Sequence, residues 1–387
     1  MTPRTLIGLA IGSGLEAADA VALRADGVGL GITAKCVGSA RVPVPGGTSD
    51  PTRRIGDALV QAARQAAFVA NLDFRSAQVA GLLSPFPHRA SDSESPATPA
   101  DWVAEHTGLT VVTGFRGRDA AAGGTGHLIT PAADYLLYRE LNEERILVHI
   151  GAVTSVVLIP AGGKLSAVSG FETGPGNRLI DDVTHLGTRG RESCDSGGKK
   201  AVQGKCLEDL LARWMSHPHL ARRPPKALPR SAFGTTFLTE SFECARTSGA
   251  TLHDLLCTAT HFVARCVGDG VAKWLPAKPD VPRRVFVSGG GVRNGFLWKL
   301  LERQFEGLTV SRLDAAGVPA AGRNAAAAAV LAGLTLDGVA GNMPVLTGAA
   351  GGRLIGRIVP GDERNWAAVT AWMARQTGPY LTLPRAS

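Results

Sequence analysis

The sequence predicts an α/β protein of two related lobes. Short apolar runs read as strands, and each runs into a glycine-rich turn, at residues 5–14, 145–151 and 284–291. Amphipathic helical segments follow in both halves of the chain. The 387 residues are enough for two domains with cores of their own. The boundary is expected near residue 138, giving lobes 1–138 and 139–387 with the last residues able to cross back.

Residues 5–11 form an apolar strand leading into Gly12-Ser13-Gly14. Residues 20–23 and 28–37 flank Asp26-Gly27, a hairpin dipeptide, so the opening reads as a three-strand meander. Residues 55–71 place Leu59, Ala62, Ala63 and Ala66 on one helical face. A strand at 79–83, an exposed Pro/Ser-rich loop at 84–99, a helix at 100–106 and a strand at 109–112 follow. Strand 145–150 meets Gly151 and pairs with 156–159 as a hairpin. Residues 171–177 read as a tight turn, 177–185 as a helix, 218–229 as a proline-rich connector and 252–275 as a long amphipathic helix. Strand 284–287 ends in Ser288-Gly289-Gly290-Gly291. Helices are expected at 294–305, 324–336 (alanine-rich) and 366–376.

The net charge is +8, but the basic residues are scattered pairs without interleaved aromatics, which argues against nucleic-acid binding and suits small anionic ligands. No apolar run reaches membrane-spanning length. Residues 4–20 faintly resemble a signal peptide, but Gly8, Gly12 and Gly14 break the apolar run and Glu16 follows; a first strand is preferred. The six cysteines form no Cys-x-x-Cys pair and no zinc-ligand spacing, so they read as reduced thiols of a cytoplasmic protein.

Residues 171–177 read Phe-Glu-Thr-Gly-Pro-Gly-Asn, and a carboxylate held rigidly there, that of Glu172, is a candidate catalytic base. Gly12-Ser13-Gly14-Leu15-Glu16-Ala17 matches the dinucleotide pattern G-x-G-x-x-A. A helix after Gly14 would support an NAD-dependent enzyme; the Asp26-Gly27 hairpin favours instead a strand–loop–strand turn offering N–H groups to a phosphate. Ser288–Gly291 with Asn294 brings backbone close to a phosphorylated or planar ligand, or serves close helix–strand packing. Residues 116–126 combine two cations, Arg116 and Arg118, with Asp119 and a glycine turn, suited to holding an anion, or form a surface salt-bridge cluster. Asp195 either serves a metal or caps a turn.

Together these motifs resemble the anhydro-N-acetylmuramic acid kinase family of the actin/Hsp70/sugar-kinase superfamily. The resemblance rests on Ile7-Gly8-Leu9, Phe115-Arg116…Asp119-Ala120-Ala121-Ala122-Gly123-Gly124, Thr173-Gly174-Pro175-Gly176-Asn177, Pro224-Pro225-Lys226, Ser288-Gly289-Gly290-Gly291 and Gly341-Asn342-Met343-Pro344…Thr347-Gly348-Ala349, in that order. It implies a two-lobed, ribonuclease H-like α/β fold with mixed sheets flanked by helices, closing around ATP, Mg²⁺ and an anhydrosugar. In that chemistry a carboxylate, here Glu172, activates water to open the 1,6-anhydro ring at C1, and the freed O6 takes the γ-phosphate. The nucleotide side falls to Gly12, Ser13, Gly14, Glu16, Asp19, Gly151, Gly174, Gly176, Asn177, Gly289, Gly290, Gly291 and Asn294. The sugar side falls to Arg116, Asp119, Gly124 and His127; the metal ligands stay open. Members of the family are often dimers, so a homodimer is expected.

The chain departs from the family at functional positions. Glu172 replaces the aspartate base and Glu16 a second aspartate. Residues 83–86 lack the family's His-Gly-Gln-Thr, Gly114 replaces an aspartate, and Asn324 replaces an acid. An active kinase and a catalytically inactive homologue, acting as ligand sensor or protein partner, both accommodate this pattern.

Overall fold

The computed structural model describes residues 3–12, 14–47, 50–84, 96–229, 231–276, 278 and 281–376. The elements run β1 (Arg4–Ile11), β2 (Ala17–Asp26), β3 (Thr33–Pro43), α1 (Pro51–Val69), β4 (Ala77–Leu83), α2 (Pro99–Thr107), β5 (Val111–Thr113), α3 (Arg116–Ala121) and α4 (Pro131–Tyr138). Next come β6 (Glu144–Ile150), β7 (Val153–Ile159), β8 (Ser169–Pro175), α5 (Asn177–Gly187), α6 (Glu208–Met215), α7 (Pro218–Ala221), α8 (Thr235–Thr247), α9 (Leu252–Trp274), β9 (Arg283–Ser288), α10 (Gly295–Gln304) and β10 (Thr309–Arg312). The chain ends with α11 (Arg323–Leu336), α12 (Pro344–Thr347), β11 (Arg357–Val359) and α13 (Glu363–Arg375).

These elements form two units. The first holds the chain up to Arg139 and again from Gly317 onward; the second is Glu140–Ala316. The chain returns to the first unit at Gly317, before the alanine-rich helix. Packing explains this. Gly8 and Gly81 are register neighbours on β1 and β4. A Cβ on them would lie 1.9 Å from the Ala325 carbonyl oxygen and 2.0 Å from that of Ala328. The backbone of α11 thus lies directly on bare strand backbone, and its small side chains fit that close approach. Buried ion pairs Arg323–Asp134 and Arg4–Asp337, each at 2.5 Å, tie the returning segment down.

The first unit's sheet has the order β11-β5-β4-β1-β2-β3, the second β10-β9-β6-β7-β8. In both, the first three strands form an antiparallel meander and the next two add parallel to the first strand. The same mixed sheet therefore occurs twice, flanked by helices, as the ribonuclease H-like expectation requires. Local chemistry sets the elements. Asp50 caps α1 by accepting from the Thr52 N–H at 3.0 Å, with Pro51 at the first helical position. Thr251 and Asp254 close a capping box at the start of α9. The first strand is real and the opening meander forms as expected. Because β2 begins at Ala17, no helix follows Gly14, and the dinucleotide-enzyme reading falls. Most of the expected 84–99 loop lies outside the described residues.

Candidate active site

Three glycine turns meet at one end of the second unit's sheet. Gly151 lies between β6 and β7, Gly176 between β8 and α5 with Asn177 opening that helix, and Gly289–Gly291 after β9. The Asn177 N–H donates to the Gly151 carbonyl at 2.8 Å, and its Nδ2 donates to the Ile150 carbonyl at 3.2 Å. Gly289 has φ +86°, and a Cβ there would sit 2.4 Å from the same Ile150 oxygen. A Cβ at Gly291 would press on the Ile150 side chain at 2.4 Å, whereas one at Gly290 would approach only the Asn177 amide, at 3.1 Å, and the Arg293 guanidinium, at 3.7 Å. Gly289 and Gly291 are therefore packing glycines. Gly290 is exposed, and Gly151 and Asn177 are half-buried. Asn294 is the N-cap of α10, its Oδ1 accepting from the Leu297 N–H at 3.0 Å, so its side chain shapes the loop. His149 and Ser288 add a side-chain hydrogen bond of 3.1 Å beside it. Asp195 caps a turn: its two oxygens accept from the Lys200 and Ala201 N–H groups at 2.9 Å each.

Residues 171–177 are not the tight turn expected. Residues 171–175 belong to edge strand β8, with a bulge opposite the Thr154/Ser155 step, Gly176 is the N-cap of α5 and Asn177 its first residue. The glycines there serve close approach, not turning: Gly174 packs on Cys266 and Gly176 on the Gly151 carbonyl. Thr154 donates to the Gly174 and Pro175 carbonyls at 3.0 Å each and accepts from Thr173 Oγ1 at 2.8 Å. Glu172 is buried on β8, its Oε2 accepting from the Leu228 N–H at 2.6 Å. Its own N–H donates to the Lys226 carbonyl at 3.4 Å. The segment carrying Lys226 and Leu228 thus covers this sheet edge, which would otherwise be free to pair. The Lys226 ammonium donates to the His219 and Leu220 carbonyls at 3.2 and 3.1 Å, and burial lowers its pKa to about 8. Burial, reinforced by the Lys226 charge, lowers His219 to about 4.

In the first unit, Gly12, Gly14 and Glu16 lie exposed on the β1–β2 turn; Ser13 lies outside the described residues. Asp19 is on β2, its carboxylate 2.8 Å from Arg41. Asp119 is fully buried. Its Oδ1 accepts from Asn342 Nδ2 and Thr347 Oγ1, each at 2.7 Å, and its Oδ2 accepts from the Gly126 N–H at 2.9 Å. In this structure it braces the turn at residues 122–126. Gly124 has no room for a side chain, since a Cβ would lie 2.3 Å from Asp119 Oδ2. Arg116 is exposed and donates to the Gly126 carbonyl at 3.0 Å, and the His127 N–H donates to Thr125 Oγ1 at 3.2 Å. Arg116, Gly124 and His127 thus share one loop cluster. The residues that sequence reasoning left without a role are Asn342, Thr347, Lys226 and the Leu228 N–H. The first three stood inside recognised motifs, which was the available signal. A backbone N–H leaves none.

The family profile "Anhydro-N-acetylmuramic acid kinase" matches residues 95–361. A protein of that name from Gloeobacter violaceus is 37% identical over 259 residues, 67% of this chain and 65% of that relative. One from Nitrosomonas europaea is 35% identical over 67% of this chain and 68% of the relative. The chain thus spans about two thirds of the length of these relatives, and its first 94 residues, with the β1–β2 turn, lie outside the profile match. Solved structures of similar course include the activator of a 2-hydroxyisocaproyl-CoA dehydratase from Clostridium difficile with bound ADPNP, at TM-score 0.42 and 14% identity over 85% of this chain and 94% of that one. Another is a ROK family glucokinase from Streptomyces griseus in complex with glucose and AMPPNP, at TM-score 0.38 and 15% identity over 84% and 98%. On the profile match and these identities, the chain belongs to the anhydro-N-acetylmuramic acid kinase family.

Proposed function

We propose that this protein phosphorylates 1,6-anhydro-N-acetylmuramic acid with ATP, opening the anhydro ring in the same turnover, as a step in cell-wall recycling. The observation that carries this reading is the meeting of Gly151, Asn177 and Gly290 at the end of the strand that holds Glu172. Family membership supplies the substrate class.

Glu172 takes a proton from water as that water attacks C1; the C1–O6 bond breaks, and O6 accepts the γ-phosphoryl group with release of ADP. The Leu228 N–H orients the carboxylate before the reaction begins. In strand β8 the bulge at Thr173 offers a way to accommodate the longer glutamate, since a bulge re-aims neighbouring side chains. Gly151, Asn177 and Gly290 present backbone and amide groups to the nucleotide. Arg116 suits the sugar's carboxylate, with Gly124 and His127 beside it. Mg²⁺ chemistry asks for one or two carboxylates beside phosphate oxygens and water. Glu16 and Asp19 are the hard oxygen donors next to the first turn, and Asp19 would have to leave Arg41 to serve the ion, which would neutralise phosphate charge. A cytoplasmic homodimer completes the reading.

The test is coupled measurement of ATP consumption with and without the anhydrosugar. Glu172→Gln should lower sugar-dependent turnover by about a thousandfold while ATP binding persists, the range that a general base contributes. Retained turnover in Glu172→Gln would remove Glu172 from the role.

A further inference from the structure

Between α7 and the segment that covers β8 lies a buried lysine whose position the proposed chemistry does not by itself require. Lys226 extends its ammonium to two carbonyls of α7, those of His219 and Leu220, at 3.2 and 3.1 Å. Its main chain runs the other way: the Lys226 carbonyl accepts the Glu172 N–H, and two residues later the Leu228 N–H donates to Glu172 Oε2 at 2.6 Å. One side chain thus ties a helix end to the backbone that grips the carboxylate.

We propose that Lys226 is a positioning residue for Glu172: its ammonium pins residues 226–228, and that pinned segment holds the carboxylate in one orientation. The proposal rests on the reading of Glu172 as the base. A lysine is suited to this because it brings donors and no acceptor: it supplies a donor to the Leu220 carbonyl and a second one to the His219 carbonyl, which also accepts from the Arg222 N–H at 3.2 Å. The Phe171 ring, with its centroid 5.4 Å from Nζ, supports the charge from below. The other titratable groups that act on it are Cys266 and Lys273 of α9, Arg222 and His219, and Asp269 lines the same cavity of about 220 Å³. None of the salt bridges among the described residues joins Lys226 to a carboxylate. Its bonds to the α7 carbonyls are therefore its main polar tie. At neutral pH the ammonium form persists, since burial brings the lysine only to about 8.

Amide hydrogen exchange in the full chain tests this whether or not turnover is detected. In Lys226→Met the Leu228 amide should exchange about tenfold faster or more, while amides of α11 keep their protection, the mark of local opening. Lys226→Arg, which keeps the donors, should restore protection to within about threefold. Steady-state kinetics supplies the second readout: kcat should fall about tenfold in Lys226→Met with KM for ATP within about twofold, the signature of an interaction that acts on the chemical step. Unchanged Leu228 exchange in a folded Lys226→Met overturns the proposal. So does an equal loss of protection across the second unit, which would make the lysine merely structural. So does faster Leu228 exchange with kcat unchanged in an enzyme that Glu172→Gln disables. If the wild type turns over no anhydrosugar, the functional reading fails by that result alone, and the exchange data still decide whether Lys226 pins the segment.

Discussion

At the scale of single residues, the acidic groups divide by what surrounds them. Glu172 and Asp119 are both buried carboxylates inside recognised motifs. The Glu172 carboxylate accepts from the Leu228 backbone N–H, and that of Asp119 accepts from three donors, on Gly126, Asn342 and Thr347. A carboxylate so fully engaged holds structure. Asp119→Ala would strand those three buried donors and should cost about 3 kcal/mol or more, since each unmet buried donor costs about 1–3 kcal/mol. Urea unfolding measures this, and a change under about 1 kcal/mol would contradict the assigned role. His219 gives a pH-dependent counterpart. Its ring is buried, and burial followed by the Lys226 charge lowers it to about 4, against 6.5 for an ordinary histidine. The unfolded chain therefore takes up that proton first as pH falls. Stability from this group is intact above 6.5 and is lost as pH falls toward 4. Urea midpoints at several pH values should show a shallower acid slope in His219→Leu than in the wild type; parallel slopes would refute the assignment.

At the scale of elements, the structure separates two uses of glycine that look alike in sequence. Ser288-Gly289-Gly290-Gly291 reads as one loop, yet only Gly290 is exposed, while Gly291 lies against Ile150. Gly291→Ala should destabilise the fold by about 1–3 kcal/mol through overpacking. Gly290→Ala meets the Asn177 amide at 3.1 Å and the Arg293 guanidinium at 3.7 Å, both ends of side chains, so it should leave unfolding within about 1 kcal/mol of the wild type while raising KM for ATP, because the added methyl stands on the proposed nucleotide face. Calorimetric unfolding and ATP titration of both variants distinguish the roles; equal effects on both readouts would show that Gly290 is packing too. Strand β8 was hidden for a related reason. Two glycines and a proline in seven residues signal a turn locally, but the edge position tolerates proline, and close contacts with Cys266 and Gly151 demand the glycines.

At the scale of the whole molecule, what the sequence revealed was whatever repeats locally. The opening meander, α1, α9 and α11 follow from alternation, helical spacing and caps, and the doubled strand–glycine–helix units announced two related halves. Long-range closure left no such trace. The return of the chain at Gly317 depends on Gly8 and Gly81 facing the α11 backbone, and the turn at 122–126 depends on Asn342, 223 residues from Asp119. Periodicity cannot encode partners so distant. Resemblance supplied the motifs as a set, and they divide between the units: the turns at Gly151, Gly176 and Gly289–Gly291 lie in the second, and Gly12–Asp19 and the loop that Asp119 braces lie in the first. The substitution of Asn324 for an acid has no explanation in the contacts of α11.

Incubation of the protein with ATP, Mg²⁺ and 1,6-anhydro-N-acetylmuramic acid, followed by mass spectrometry of the sugar, tests the central claim most directly. The account predicts a product heavier than the substrate by one water and one phosphoryl group, with the phosphate on O6. An unaltered anhydrosugar, or a phosphorylated sugar whose anhydro ring is still closed, would contradict it.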